Sequence, residues 1–353
     1  MPINSRSERL LASLESSGRF EIVVCGWSRS NVPSLPANYR VLNMPTGHGP
    51  LRLLNKVLGL PAFRRFAAEV CRQVRPDILG CSFWDMALVA ASVARQNTPI
   101  LYDISDMPRG SGPELWVGRM AERLALTRVR AVTLASRFYA PFYKPYRSLV
   151  LENLPALDTS IRNIVQPELP PRLGYIGNVR YPTMLRPLMQ ICASRQIPLA
   201  IHGGGVYLTA LSREFAAHPQ ISFHGAYAYA DLARIYGQID IVWAAYPADD
   251  FNVRHAISNK FFESVWYGRP AVFSRGTALG DLVEREGMGF VIDAADPAEV
   301  GKLLEEIMQK PERVLQTWQR LVEFRHASNG LLTWTDQEQR LVEFVERECS
   351  LGY

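Results

Sequence analysis

Short apolar runs rich in β-branched residues alternate along this chain with helix-length amphipathic stretches, the pattern of repeated βαβ units and parallel sheets. In the front half the runs predict strands at Phe20–Cys25, Tyr39–Asn43, Asp77–Ser82, Ile100–Asp103, Ala131–Ala135 and Ser148–Leu151. A second series predicts strands at Leu173–Gly177, Pro198–His202, Ile221–His224, Ile239–Trp243, Ala271–Ser274 and Phe290–Ile292. Between the series, Asn153 to Pro171 is dense in proline and aperiodic, and reads as a linker. Beyond Asp296 the pattern turns helical: Val300, Leu303, Leu304 and Ile307 recur at three- and four-residue spacing, and Leu341, Val342 and Val345 mark a last helix. The expected organisation is α/β. One Rossmann-like domain spans residues 1–155, a second spans 170–330, and a closing segment, 331–353, packs its helix back on the first.

The stretch 51–75 stands apart. Phe63, Phe66, Ala67, Val70, Cys71 and Val74 fall on one helical face, while Arg52, Lys56, Arg64, Arg65, Arg72 and Arg75 face a single acid, Glu69. Pro61 predicts a break into two helices, because proline is tolerated at a helix start and not inside. A basic amphipathic helix suits either a peripheral contact with a membrane surface or a core-packed position with a solvated basic face.

Composition narrows the class. At 353 residues the chain has room for two domains. With 48% hydrophobic and 21% charged residues, disorder and coiled coil are excluded. The polar start carries no signal-peptide core, and no run nears the roughly 20 apolar residues of a membrane span, so a cytoplasmic protein, at most peripheral on a membrane, is expected. Five cysteines without CxxC or Cys/His spacing argue against a disulfide framework and a zinc site. Charge divides unevenly: residues 1–150 hold 20 Lys and Arg against 10 acids, and the remainder 19 against 24. The basic front half is suited to an anionic partner.

The best-defined chemistry lies in Ser258-Asn259-Lys260-Phe261-Phe262-Glu263, closed by Gly268. Ser258 or Asn259 caps a helix whose first-turn N–H groups form an anion site, and Lys260 adds a full charge to it. Glu263 lies three residues on, on the same face, where a carboxylate accepts hydroxyl hydrogen bonds from a ribose one turn away. A diphosphate beside a ribose is a nucleotide. The bland alternative is a surface Lys–Glu pair. Glycine turns follow the predicted strands at Gly174-Tyr175-Ile176-Gly177-Asn178, at Gly203-Gly204-Gly205, and at Gly225, where Tyr227 stands near a base. None is a Walker loop or GxGxxG, which argues against a dinucleotide-dependent oxidoreductase. Asp249-Asp250 reads as a loop cap rather than a metal motif. The aromatic residues Phe138, Tyr139, Phe142, Tyr143 and Tyr146 read as core packing, so no nucleic-acid partner is expected.

In that order, these segments resemble the GT-B glycosyltransferases. Arg130-Ala131-Val132-Thr133-Leu134-Ala135-Ser136 and Leu149-Val150-Leu151-Glu152-Asn153-Leu154-Pro155 look like the close of an acceptor domain. Leu173 to Asn178 looks like the opening of a donor domain, followed by Phe223-His224-Gly225-Ala226-Tyr227, Ile239-Asp240-Ile241-Val242 and the NKFFE helix. The likeness is nearest to the bacterial membrane-associated subgroup that includes the glucuronosyltransferase of xanthan assembly. It implies two Rossmann-like domains facing across a cleft, a nucleoside diphosphate sugar (UDP-linked by family habit) as co-substrate, no cofactor and no metal, and a saccharide or lipid-linked acceptor. It implies Lys260 on the diphosphate, Glu263 on the ribose and the Gly177-Asn178 turn beside the donor, with Tyr246 and His255 in the same pocket. Two departures stand out. Many retaining relatives carry a glutamate where this chain has His255, and their Arg and Lys after the first donor strand are missing, with Arg180 or Arg186 as substitutes. Arg254, beside His255, would suit an acidic sugar. The base of an inverting transfer is expected after the strand at Ile100: Asp106 first, then Asp103, then Asp85. A nucleotide-sugar epimerase or a non-catalytic binding protein would share this architecture.

Overall fold

The computed structural model describes residues 4–28, 36–44, 52–155, 164–327 and 333–349. They fall into two compact units, Met1–Asn153 with Trp334–Tyr353, and Leu154–Thr333.

The first unit holds strands β1 (Val24–Ser28), β2 (Tyr39–Asn43), β3 (Leu79–Ser82), β4 (Ile100–Ile104), β5 (Ala131–Leu134) and β6 (Arg147–Val150). All pairings are parallel, with β1-β2 forming one sheet and β3-β4-β5-β6 another. Ile100, Tyr102 and Ile104 of the inner strand β4 are fully buried. The polar start of the chain folds into a helix, Ser5–Ser16, capped by the Asn4 side chain. Its Leu10 shares a core with Trp334 and with Leu341 and Val345 of the helix Thr335–Cys349 that follows, and Phe20 packs against the same cluster instead of opening β1.

Pro61 does not divide its segment. One helix runs Arg52–Val74 with the proline inside. An interior proline costs roughly 3 kcal/mol, and packing overrides that cost. Phe63 and Ala67 are buried with Val89, the Trp27 ring stacks on Phe63 at 6.0 Å, and Gly59 lets Trp27 lie where a Cβ would come within 2.6 Å of it. The middle of this apolar stripe is thus part of a core, while Leu58 and Val74 are exposed together with Arg64, Arg65, Arg72 and Arg75. Side chains 52–57 lie outside the described residues.

The second unit is a single parallel sheet of β7 (Leu173–Ile176), β8 (Leu199–His202), β9 (Ile221–Gly225), β10 (Ile241–Trp243), β11 (Ala271–Ser274) and β12 (Gly289–Ile292), in the order β12-β11-β10-β7-β8-β9. Winding reverses between β7 and β10, and in such sheets ligands bind beyond the carboxyl ends of the strands at that reversal. β10 starts later than Ile239 because the buried Asp240 carboxylate is taken by the N–H groups of Glu168 and Arg172, which anchor the chain entering β7. Among the described residues, no helix is long and apolar enough to cross a membrane.

Candidate functional site

Beyond the carboxyl ends of the second sheet, three glycine turns interlock. Gly177 N–H donates to His202 O at 2.8 Å, Gly203 N–H to Gly225 O at 2.7 Å, and Val179 N–H to Gly204 O at 2.7 Å. Gly203 has φ +142°, and a Cβ there would lie 1.7 Å from Gly177 O, so the turns after β7 and β8 close on each other only without a side chain. A Cβ on Gly177 would meet Lys260 Cε at 3.8 Å, which places the lysine along the β7 turn.

Lys260 belongs to the helix Asn259–Tyr267. Ser258 is the cap: its Oγ accepts the Lys260 N–H, and Gly268 ends the helix at φ +63°. The Lys260 and Glu263 side chains are only 9% and 5% exposed and meet at 2.5 Å. A surface pair is therefore ruled out. Glu263 Oε2 accepts from Lys260 Nζ and from the Tyr236 hydroxyl at 2.7 Å, whereas Oε1 takes no hydrogen bond from any described residue. Tyr236 stacks on Tyr267 at 4.4 Å, and burial and the Glu263 charge raise its hydroxyl far above the usual range. Burial and Glu263 also push Tyr227 up to about 12, so the β9 turn approaches the same carboxylate. Burial raises Tyr246, which follows β10; Lys260, a hydrogen bond with Ser258, and Arg180 act against the shift. The turns after β7, β9 and β10 thus gather around the Lys260–Glu263 pair at the winding reversal.

Of the two substitute cations, Arg186 is taken by Glu214 at 3.0 Å, while exposed Arg180 lies over the Tyr181 ring and acts on Tyr175 and Tyr246. His255 closes the short helix Phe251–His255, with Nδ1 2.9 Å from Phe251 O, and Arg254 lies exposed over the Phe251 ring. Asp250 caps that helix through the N–H groups of Asn252 and Val253, so Asp249-Asp250 is a loop cap. His202 stacks on His224 at 4.2 Å. Tyr236 and Tyr175, whose hydroxyl donates to Asn178 O at 2.7 Å, went unrecognised in the sequence because apolar periodicity hides a buried hydroxyl.

The carboxylates of the first unit separate by environment. Asp103 is buried and receives Arg6, Thr133, Ser105 and Ser82 on its two oxygens. Its two oxygens thus take a full cation and three hydroxyls. Asp85 is buried in the first turn of the Trp84–Val93 helix. Asp106, in the loop after β4, keeps a 28% exposed side chain and pairs with Arg109. In the aromatic stretch, Tyr139 and Tyr143 are buried and Tyr143 donates to Glu122, as core packing requires.

The second unit is a doubly wound parallel sheet with a buried Lys–Glu pair at its winding reversal, the place where such sheets bind ligands. Residues 3–142 match the family model of the glycosyl transferase 4-like domain, and residues 170–310 match that of glycosyl transferases group 1. The chain belongs to the glycosyl transferases and has the two-domain GT-B fold. Similar solved structures include sucrose-phosphate synthase of Thermosynechococcus elongatus (TM-score 0.71, 15% identity, 97% of this chain and 92% of that one). Anabaena HepE, in complex with UDP and glucose, is similar at TM-score 0.67 and 14% identity over 98% of this chain and 97% of that one. WaaG, a glycosyltransferase involved in lipopolysaccharide biosynthesis, gives 0.63 and 12% over 98% and 97%. No curated relative is found by sequence.

Proposed function

We propose that the second unit holds a uridine diphosphate sugar through the Lys260–Glu263 pair, and that the enzyme transfers the hexosyl group to a saccharide acceptor, lipid-linked in the cell. The observation that carries this reading is a nearly buried carboxylate at the winding reversal with one oxygen saturated and the other open. Glu263 Oε1 accepts the ribose hydroxyls. Lys260, Arg180 and the N-terminus of the Asn259–Tyr267 helix neutralise the charge that gathers on the diphosphate as the glycosidic bond breaks, in place of a metal ion. The Gly177-Asn178 and Gly203-Gly204 turns let backbone approach the diphosphate, Gly225 and Tyr227 meet the base, and Tyr246 and His255 border the sugar. The HepE complexes, which contain UDP and UDP-glucose, support the choice of uridine.

On the acceptor side, Asp106 takes the proton from the attacking hydroxyl, since Asp103 is consumed by Arg6. The test is a thermal-shift panel of UDP, GDP and their sugars on the wild type and Asp106→Asn, alongside transfer assays. UDP raises the melting temperature of both proteins, and the variant loses about 10²–10⁴-fold in turnover. Undiminished turnover in Asp106→Asn removes the base; no response to any nucleotide removes the donor site.

A further inference from the structure

The helix Gly112–Leu126 is amphipathic in the wrong direction for a core element. Its inner face is Gly118, Glu122, Ala125 and Leu126, with the buried Glu122 carboxylate taken by the hydroxyls of Tyr102 and Tyr143. Its outer face carries the largest apolar side chains: Trp116 is 65% exposed, Val117 55%, Met120 45% and Leu124 66%. Positions 116, 120 and 124 lie above one another at four-residue spacing and 117 lies beside them, which makes one continuous stripe. Scattered exposed apolar residues need no explanation, but a contiguous stripe marks a contact surface.

Charge around the stripe selects the partner. Exposed Arg123 flanks it along one edge and exposed Arg128 follows the helix, while Glu114 stands on the far edge, Arg119 lies over the Phe142 ring and Glu122 is turned inward. A tryptophan with aliphatic neighbours and flanking arginines is the composition of a helix that lies in the headgroup region of an anionic bilayer. A second copy of the chain fits less well. A stable dimer covers roughly 800 Å² per partner, more than four side chains on three helical turns present. We propose that this face of the first unit docks on an anionic lipid bilayer, with Trp116, Val117, Met120 and Leu124 entering the interface and Arg123 and Arg128 meeting the headgroups. The helix begins six residues after Asp106, so docking brings the acceptor loop to the membrane, where a lipid-linked saccharide resides. The docking itself does not depend on the transfer reaction, so it fails or stands separately from the proposed function.

The experiment is co-sedimentation of the full chain with vesicles of phosphatidylcholine alone and of phosphatidylcholine mixed with phosphatidylglycerol, at low and high salt. Wild type sediments with the mixed vesicles, and Trp116→Glu combined with Leu124→Glu weakens this by about tenfold or more, with an unchanged melting temperature and an unchanged UDP shift. Arg123→Glu lowers binding at low salt only. Wild type that stays in solution with the anionic vesicles overturns the proposal. So does binding that the Trp116→Glu, Leu124→Glu protein retains while Arg64→Glu with Arg65→Glu abolishes it, because the contact would then belong to the Arg52–Val74 helix. A dimer in gel filtration that the double variant makes monomeric, without vesicle binding by wild type, assigns the stripe to a second copy instead.

Discussion

Each unit holds a buried cation–carboxylate pair at the carboxyl end of a parallel sheet, Arg6–Asp103 in the first and Lys260–Glu263 in the second, and the two differ in how fully the carboxylate is bonded. In the first unit, Arg6 from the opening helix reaches Asp103 at the end of β4, and Thr133, Ser105 and Ser82 fill what remains of the carboxylate. In the second, Lys260 reaches Glu263, Tyr236 joins on the same oxygen, and the other oxygen is left without a bond from the described residues. Burial is alike, with side chains 3% and 7% exposed in one pair and 9% and 5% in the other. Saturation is what separates them. A filled carboxylate is a joint between segments distant in sequence. One with spare acceptor capacity, set where a doubly wound sheet reverses, is free to accept hydrogen bonds from a ligand, as the proposed function requires.

Breaking the joint has the larger effect. Arg6→Met strands the Asp103 carboxylate among hydroxyls and also removes the bond from Arg6 to Leu151 O at 2.7 Å. Loss of one partner of a buried pair costs about 3–5 kcal/mol. Denaturant unfolding followed by tryptophan fluorescence then shows an early transition for the first unit, while UDP still stabilises the second. If the midpoint does not move, the Arg6–Asp103 pair is not the joint it is taken to be.

Lys260→Ala comes next and moves a different quantity. Under the proposed function the ammonium faces a leaving group whose charge grows in the transition state, so turnover is expected to fall by about 10²–10³-fold. Glu263 keeps the Tyr236 hydroxyl, and the variant remains folded by circular dichroism. Transfer at the wild-type rate by Lys260→Ala would erase the distinction between a filled and an open pair.

This distinction was only half legible in the sequence. Strands buried on both faces appear as short apolar runs, and for that reason Ala271–Ser274, buried at every position, coincides with β11 to the residue; Tyr39–Asn43 coincides with β2 as well, although its residues are only half-buried or exposed. The capped NKFFE helix is equally local, since serine, lysine and glutamate sit within one turn and a half. Saturation is not local. Arg6 meets Asp103 across 97 residues, and Tyr236 meets Glu263 across 27. Asp103 and Asp106, three positions apart, look alike until their partners are known. Periodicity also fails to state which face of a helix points inward. Trp116, Met120 and Leu124 carry a core-like spacing and face solvent, while the stripe around Pro61 carries the same spacing and lies in a core.

The smallest expected effect separates the two units by acid. His48 lies outside the described residues, and the other histidines, 202, 218, 224, 255 and 326, all belong to the second unit. The Arg6–Asp103 cluster contains none. His202, stacked on His224 behind the β8 turn, is lowered from 6.5 to about 4 by burial, with the charges of His224 and Arg234 adding to it. Above pH 6.5 the imidazole is neutral in the folded and the unfolded chain alike. As the pH falls below that, the unfolded chain takes the proton first, and stability drains away until the folded ring is protonated near pH 4. The loss is about 1–2 kcal/mol after solvent screening. Thermal unfolding at pH 7 and pH 5 reads it as a drop in the second unit's transition, the one that UDP raises, and His202→Phe, which keeps a ring against His224, flattens the drop. An identical acid response in His202→Phe and wild type, or a drop confined to the first unit's transition, would place the sensitivity elsewhere.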